Sequence, residues 1–244
     1  MKIIVANWKM GPSSEKEAVA NAKSSDKKGV IIAPPFVFLP AIKKVVKRAK
    51  LAVQNISPEA QGSYTGEISP AMLKNFGVKY AIVGHSERRA LGETNEIVNK
   101  KLKTALKSHI TPIVCVGESH RDHQMKYLHF MKRQIIETFK NLAPKDFSKI
   151  IIAYEPIWAI GKNAEREATP EESEEMAIFI KKVLNDHFGS GSVKNLRILY
   201  GGSVDEKNAK AFLTCGGVQG LLVGRASLDP KKFVEIVKIT EIRR

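Results

Sequence analysis

The sequence predicts an α/β barrel of eight strand–helix units, a single (β/α)8 domain spanning residues 1–244. Three observations carry this. Short runs rich in Ile, Val, Leu and Tyr recur along the whole chain with little alternation, as parallel strands buried on both faces do. Helical patterns with identifiable start signals lie between most of these runs. The chain has 244 residues and no linker, a usual length for such a barrel.

In chain order, the first run covers 3–6 and stops at Asn7-Trp8-Lys9, too short for a signal peptide. Ser14 and Glu17 read as a capping box opening a helix. Runs at 30–33 and 51–54 predict the next two strands. Residues 62–67 form a long polar loop ahead of a helix near 69–76. A fourth strand falls at 80–83, and Val98, Leu102, Ala105 and Leu106 then repeat at helical spacing. Strands five and six fall at 113–116 and 150–154. Thr169-Pro170-Glu171-Glu172 is a capping box with proline at the first helical position, followed by the stripe Met176, Ile180, Val183, Leu184. The last strands fall at 196–200 and 220–223, and Asp229-Pro230 opens a helix that buries Phe233, Ile236 and Val237. The competing architecture is a doubly wound open sheet. It has fewer strands and a Gly-rich first turn, which Asn7-Trp8-Lys9-Met10 is not.

Composition narrows the function. Hydrophobic residues make up 43%, enough for a large core, and no apolar run reaches the length of a membrane span. Cys115 and Cys215 sit in no CxxC pair, so two free thiols in a reduced, cytosolic protein are expected. The net charge is +15. It fits nucleic-acid binding, steering of anionic substrates, or solubility alone. The lysines come in scattered pairs such as Lys43-Lys44, Lys100-Lys101 and Lys231-Lys232, which reads as solvated helix faces rather than a nucleic-acid surface.

In such barrels the chemistry stands at the C-terminal ends of the strands. Those positions hold Asn7 and Lys9, His85, Glu155, Gly201-Gly202-Ser203 and Gly224-Arg225. Glu155 is either a base pointing into the barrel mouth, partly out of water, or a structural ion-pair partner. His85 is either a neutral hydrogen-bond donor at a helix N-terminus, where the imidazolium is disfavoured, or a satisfied core histidine. Lys9 is either a cation that stabilises developing negative charge or a solvated loop lysine. The glycines after strands seven and eight allow close backbone approach to a phosphate. His120 and His123 have metal-like spacing but no supporting ligand set, and read as surface residues.

The chain resembles triosephosphate isomerase from end to end. The matching segments are Asn7-Trp8-Lys9-Met10, Tyr64 through Ser69, Val83-Gly84-His85-Ser86-Glu87-Arg88-Arg89, Ala153 through Gly161, Tyr200-Gly201-Gly202-Ser203-Val204, and Gly220 through Leu228. The resemblance implies that Glu155 shuttles a proton between adjacent carbons of a phosphorylated three-carbon substrate. It implies that neutral His85 polarises the carbonyl, a pairing characteristic of this family rather than one deduced from spacing. Lys9 and Asn7 would bind substrate and stabilise charge, with Glu87 and Arg88 behind them. Gly161, Ser203, Gly224 and Arg225 would supply phosphate N–H groups. No metal or organic cofactor is needed. A homodimer is implied, in which Thr65 of the 62–67 loop supports the partner's Asn7 and Lys9.

Two departures stand out. The lid segment after Gly161 runs Lys162-Asn163-Ala164-Glu165-Arg166-Glu167-Ala168 before Thr169-Pro170, slightly longer than usual and with an altered second hinge. Arg225 stands where a second glycine is common, and would be strained if its φ were positive. Another phosphate-binding barrel isomerase or epimerase would share the late glycines but not the His85 and Glu155 segments.

Overall fold

The structure, a computed structural model, describes residues 2–161 and 164–241. Eight strands close in sequential order into one all-parallel barrel. They are β1 (Ile3–Asn7), β2 (Val30–Ala33), β3 (Lys50–Val53), β4 (Val78–Val83), β5 (Thr111–Val116), β6 (Ile151–Tyr154), β7 (Arg197–Tyr200) and β8 (Gly220–Val223). The expected bounds of β2 and β8 hold unchanged. The others shift by a residue or two: β1, β4 and β5 run longer, through ladder positions such as Asn7 and Thr111 that hydrophobicity alone does not mark, β6 and β7 each start one residue later, and β3 slides back by one.

The helices are α1 (Glu15–Ser24), α2 (Leu39–Val45), α3 (Pro70–Lys74), α4 (Ser86–Ala90), α5 (Asn95–Lys107), α6 (Lys126–Thr138), α7 (Pro170–Phe188), α8 (Ala209–Cys215) and α9 (Pro230–Glu241). The Thr169 capping box forms in full: its hydroxyl accepts the Glu172 N–H, and the Glu172 carboxylate accepts the Thr169 N–H. At α1, Ser14 accepts the Glu17 N–H, which is one half of the expected box. The predicted stripe Met176, Ile180, Val183, Leu184 is buried, as are Phe233, Ile236 and Val237.

Because strand side chains alternate, each strand feeds two cores. One set fills the barrel interior: Val5, Ile31, Ile82, Ile113, Ile151 and Leu222 belong to it. Their neighbours, such as Ile4, Ile32, Val114 and Ile152, pack outward against the helices. A fully buried aliphatic side chain contributes about 1.5–3 kcal/mol, whereas an exposed ion pair contributes about 0–1 kcal/mol. The two apolar layers therefore fix the barrel.

The expectation of solvated lysine pairs needs one correction. Lys100 is exposed, but Lys101 is buried and bonds to Glu93 and to Asn55 Oδ1. Burial pushes its pKa down, and Glu93 opposes that. Adjacent positions on a helix point about 100° apart, so one of a pair meets the core while the other meets water.

Candidate active site

The inner face of the barrel continues past the strand ends. Val5 faces inward, and one period on is Asn7; Ile151 and Ala153 face inward, and one period on is Glu155. By the same period Gly84, Gly117, Gly201 and Gly224 follow the inward Ile82, Cys115, Leu199 and Leu222. The mouth is thus a ring of polar groups separated by glycines.

Those glycines make room for side chains and backbone. A Cβ on Gly117 would fall 1.7 Å from the Glu155 carbonyl oxygen, and one on Gly201 would fall 3.1 Å from Glu155 Cγ. A Cβ on Gly224 would meet Lys9 Cε at 3.3 Å. Glu155 is pinned further by its N–H, which donates to the Val116 carbonyl at 2.8 Å.

Glu155 is 1% exposed. Its Oε2 accepts the Ser86 N–H at 2.8 Å, and its Oε1 has no hydrogen-bond partner within the protein and lies 3.2 Å from His85 Nε2. His85 is the N-cap of α4, and its Nδ1 accepts the Glu87 N–H at 3.2 Å. An accepting Nδ1 carries no proton, so the remaining proton sits on Nε2 and the ring is neutral. The nearest acidic oxygen to Nε2 is Glu155 Oε1, 3.2 Å away.

Lys9 holds φ of 52°, a left-handed conformation uncommon for a side-chain-bearing residue. Its N–H donates to Asn7 Oδ1 at 3.2 Å, and its ammonium pairs with Glu87 Oε1 at 2.5 Å. Asn7 is buried. Glu87 therefore touches both Lys9 and His85, one through its carboxylate and one through its backbone.

Gly161, at φ +82°, is exposed with open space on the side where a Cβ would stand. Ser203 donates its hydroxyl to the Ala159 carbonyl at 2.9 Å, joining the β7 loop to the lid. Among the described residues, the non-glycine positions with positive φ are Lys9, His109, Met125, Asn141 and Asn195. Arg225 is not one of them, so the arginine opens its short 3-10 helix without left-handed strain, with its side chain exposed. Thr65 lies in the exposed 62–67 loop. Lys162 and Asn163 of the altered lid lie outside the described residues.

A polar hub gathers around Glu118, a strand-end residue to which the sequence alone assigned no role. Glu118, 1% exposed, receives the Tyr154 hydroxyl at 2.8 Å, the Trp158 indole N–H at 2.9 Å and Arg121 Nε at 3.1 Å. Burial opposes the Arg121 charge, but Tyr154 and Glu118 outweigh it and hold the guanidinium ionised. The Cys115 thiol lies in the barrel interior beside Glu155; burial, then the carboxylate, push it up and keep it neutral. A charge one residue past a strand-end glycine, as in Gly117-Glu118, was the available signal.

His120 and His123 are exposed, and no set of three or more metal-binding side chains occurs among the described residues. No helix among them is long and apolar enough to cross a membrane. His120 does have a partner: its Nδ1 lies 2.9 Å from Glu165 in the lid segment.

A family model for triosephosphate isomerase matches residues 2–240. Triosephosphate isomerase of Dictyoglomus thermophilum is 41% identical, over 97% of this chain and 98% of its own length. Those of Chloroherpeton thalassium and Clostridium botulinum are 41% and 42% identical, covering 98% and 96% of this chain and 99% and 98% of their own. Near-complete coverage in both directions, on a closed eight-stranded barrel, means that this chain belongs to the triosephosphate isomerase family.

Proposed function

We propose that this chain interconverts dihydroxyacetone phosphate and D-glyceraldehyde 3-phosphate, a step shared by glycolysis and gluconeogenesis. The observation that carries this is the buried Glu155 carboxylate 3.2 Å from a neutral His85 whose proton is fixed on Nε2. Glu155 takes a proton from the carbon next to the carbonyl. The His85 Nε2–H donates to the carbonyl oxygen as it gains negative charge. The enediolate so formed takes the proton back at the neighbouring carbon, and the aldehyde and ketone exchange places. The substrate carbonyl is the electron sink, so the reading calls for no cofactor.

Lys9 and Asn7 hold the substrate and offset the developing charge. Lys9 is set for this by its left-handed backbone and by Glu87. The N–H groups of Gly161, Ser203, Gly224 and Arg225 grip the phosphate, with lid closure excluding water. In this state Glu155 rests on the Ser86 N–H and must swing inward to reach substrate.

The barrel acts as one catalytic domain, in the cytoplasm and as a homodimer, without nucleic acid or membrane as partners. The dimer reading draws on exposed apolar groups around the mouth: Met10 is 98% exposed, Leu91 81% and Tyr64 52%. Tyr64 adjoins Thr65 in the protruding loop, and a Gly62 Cβ would strike its ring, so glycine permits that loop shape.

A coupled isomerase assay of the wild type and Glu155→Gln tests the reading. Turnover is expected for the wild type, with a loss of about two to four powers of ten in the variant. An inactive wild type, or a variant within about threefold of it, sinks the reading.

A further inference from the structure

The described part of the segment before Thr169, from Ala164 on, does not hang free. Its residues fold back on the start of the lid. The Glu165 N–H donates to the Trp158 carbonyl at 2.8 Å. The Arg166 guanidinium lies over the Trp158 ring, 4.5 Å from its centroid. The same guanidinium forks onto Glu172, with one nitrogen 2.6 Å from Oε1 and the other 3.0 Å from Oε2. The Glu165 carboxylate faces His120 on the loop after β5. Trp158 is itself held by Glu118, and Arg121 covers it at 5.4 Å.

We infer that Arg166 is a positioning residue for the lid, stapling its two feet together so that the residues just before Thr169 tighten the neck instead of lengthening the segment that closes. This rests on the reading of Gly161 as a phosphate-gripping residue. Most exposed ion pairs fix little, because two long side chains must be ordered in high-dielectric water. This one differs in geometry. Arg166 is bidentate, its plane lies against an aromatic ring, and its partner Glu172 is locked by the capping box. Bridging Trp158 to Glu165 and Arg166 leaves the stretch between Trp158 and Glu165 as the segment that closes. Without the staple, the free segment extends to Ala168. Fixing a longer segment over the phosphate loses more chain entropy, so the closed state becomes less populated. Ligands that need closure then bind more weakly in proportion to that population.

The test compares wild type with Arg166→Gln and Arg166→Lys. Three readouts are used: hydrogen exchange at the Glu165 amide, affinity for 2-phosphoglycolate, and turnover of the phosphate-free substrate D-glyceraldehyde. The planar carboxylate of 2-phosphoglycolate mimics an enediolate. The expected result for Arg166→Gln is exchange about tenfold faster or more, affinity about five- to fiftyfold weaker, and D-glyceraldehyde turnover within about twofold of wild type. Lysine keeps the charge but neither the fork nor the flat face, so Arg166→Lys falls between. Unchanged exchange overturns the proposal. So does faster exchange with unchanged or tighter ligand affinity, or a loss of D-glyceraldehyde turnover as large as the loss of 2-phosphoglycolate affinity, which marks a general structural role. A wild type without isomerase activity whose exchange still responds to Arg166 would strike the functional reading and leave the staple standing.

Discussion

The floor of the mouth and the foot of the lid are built by different means. At the floor, Glu155 and His85 are buried, and each is held through backbone: the Glu155 N–H on Val116, the Ser86 N–H on Glu155, the Glu87 N–H on His85. At the foot, Glu165 and Arg166 are exposed, and apart from the Glu165 N–H on the Trp158 carbonyl they are held by side chains, Glu172 and His120. The backbone of the floor, tied to the barrel's own hydrogen bonds, cannot shift without disturbing the barrel, which leaves only side-chain rotation such as that of Glu155. A foot tied mainly by exposed side chains can open and re-form without unfolding anything. On the proposed function, the lesson is that the reacting groups sit on rigid backbone and closure on contacts weak enough to adjust.

That contrast can be broken or sharpened by substitution. Beyond Glu155→Gln, the largest effect is expected at Gly117. Its Cβ would fall 1.7 Å from the Glu155 carbonyl oxygen, far inside contact distance, and the atom it would strike is backbone and cannot rotate away. Gly117→Ala should lower stability by about 3 kcal/mol or more, seen as a Tm fall of at least about 6 °C in calorimetry. A Tm within about 2 °C of wild type would show that the floor is as adjustable as the foot.

A smaller effect is expected where floor and foot meet. Glu118→Gln keeps the shape of the hub but removes the charge that Arg121, Tyr154 and Trp158 share. A loss of about 1.5–3 kcal/mol in thermal or denaturant unfolding is expected. Full retention of stability would mean that the hub's charge is not what binds the lid to the barrel.

The smallest effect is in pH. The Arg166 guanidinium, the Thr169 N–H and the Arg121 charge hold the Glu172 carboxyl below its ordinary value of 4.5, against its burial. A carboxyl lowered in the folded state adds stability above its unfolded pKa and loses it as pH falls through the folded one. The foot should therefore stay closed at neutral pH and loosen below about pH 4.5, before the barrel melts. Exchange at Glu165 should report this; protection that persists until global unfolding would place the foot with the floor.

Much of this was legible in the sequence, for reasons that vary by residue. Both-face burial of parallel strands leaves continuous apolar runs, so all eight strands were found within a residue or two. The Thr169 box was legible because capping is local. His85 and Glu155 were legible as strand-end groups, and the family segments gave them roles. Lys101 was misread with its neighbour, because a charged pair on a helix carries no mark of which member turns inward. The strand-end glycines were read as room for a ligand. The structure adds that Gly117 and Gly201 first make room for Glu155.

By itself, then, the sequence determined the alternation of strands and helices, the caps, and which chemical groups stand at the barrel mouth. These follow from periodicity and short-range hydrogen bonding, which act between residues near in the chain. Only the tertiary structure decided that the Glu87 N–H fixes the proton of His85 on Nε2, that Glu118 gathers Tyr154, Trp158 and Arg121, and that Arg166 returns to Trp158. Those contacts depend on where side chains point once the barrel has closed, and no local spacing records that.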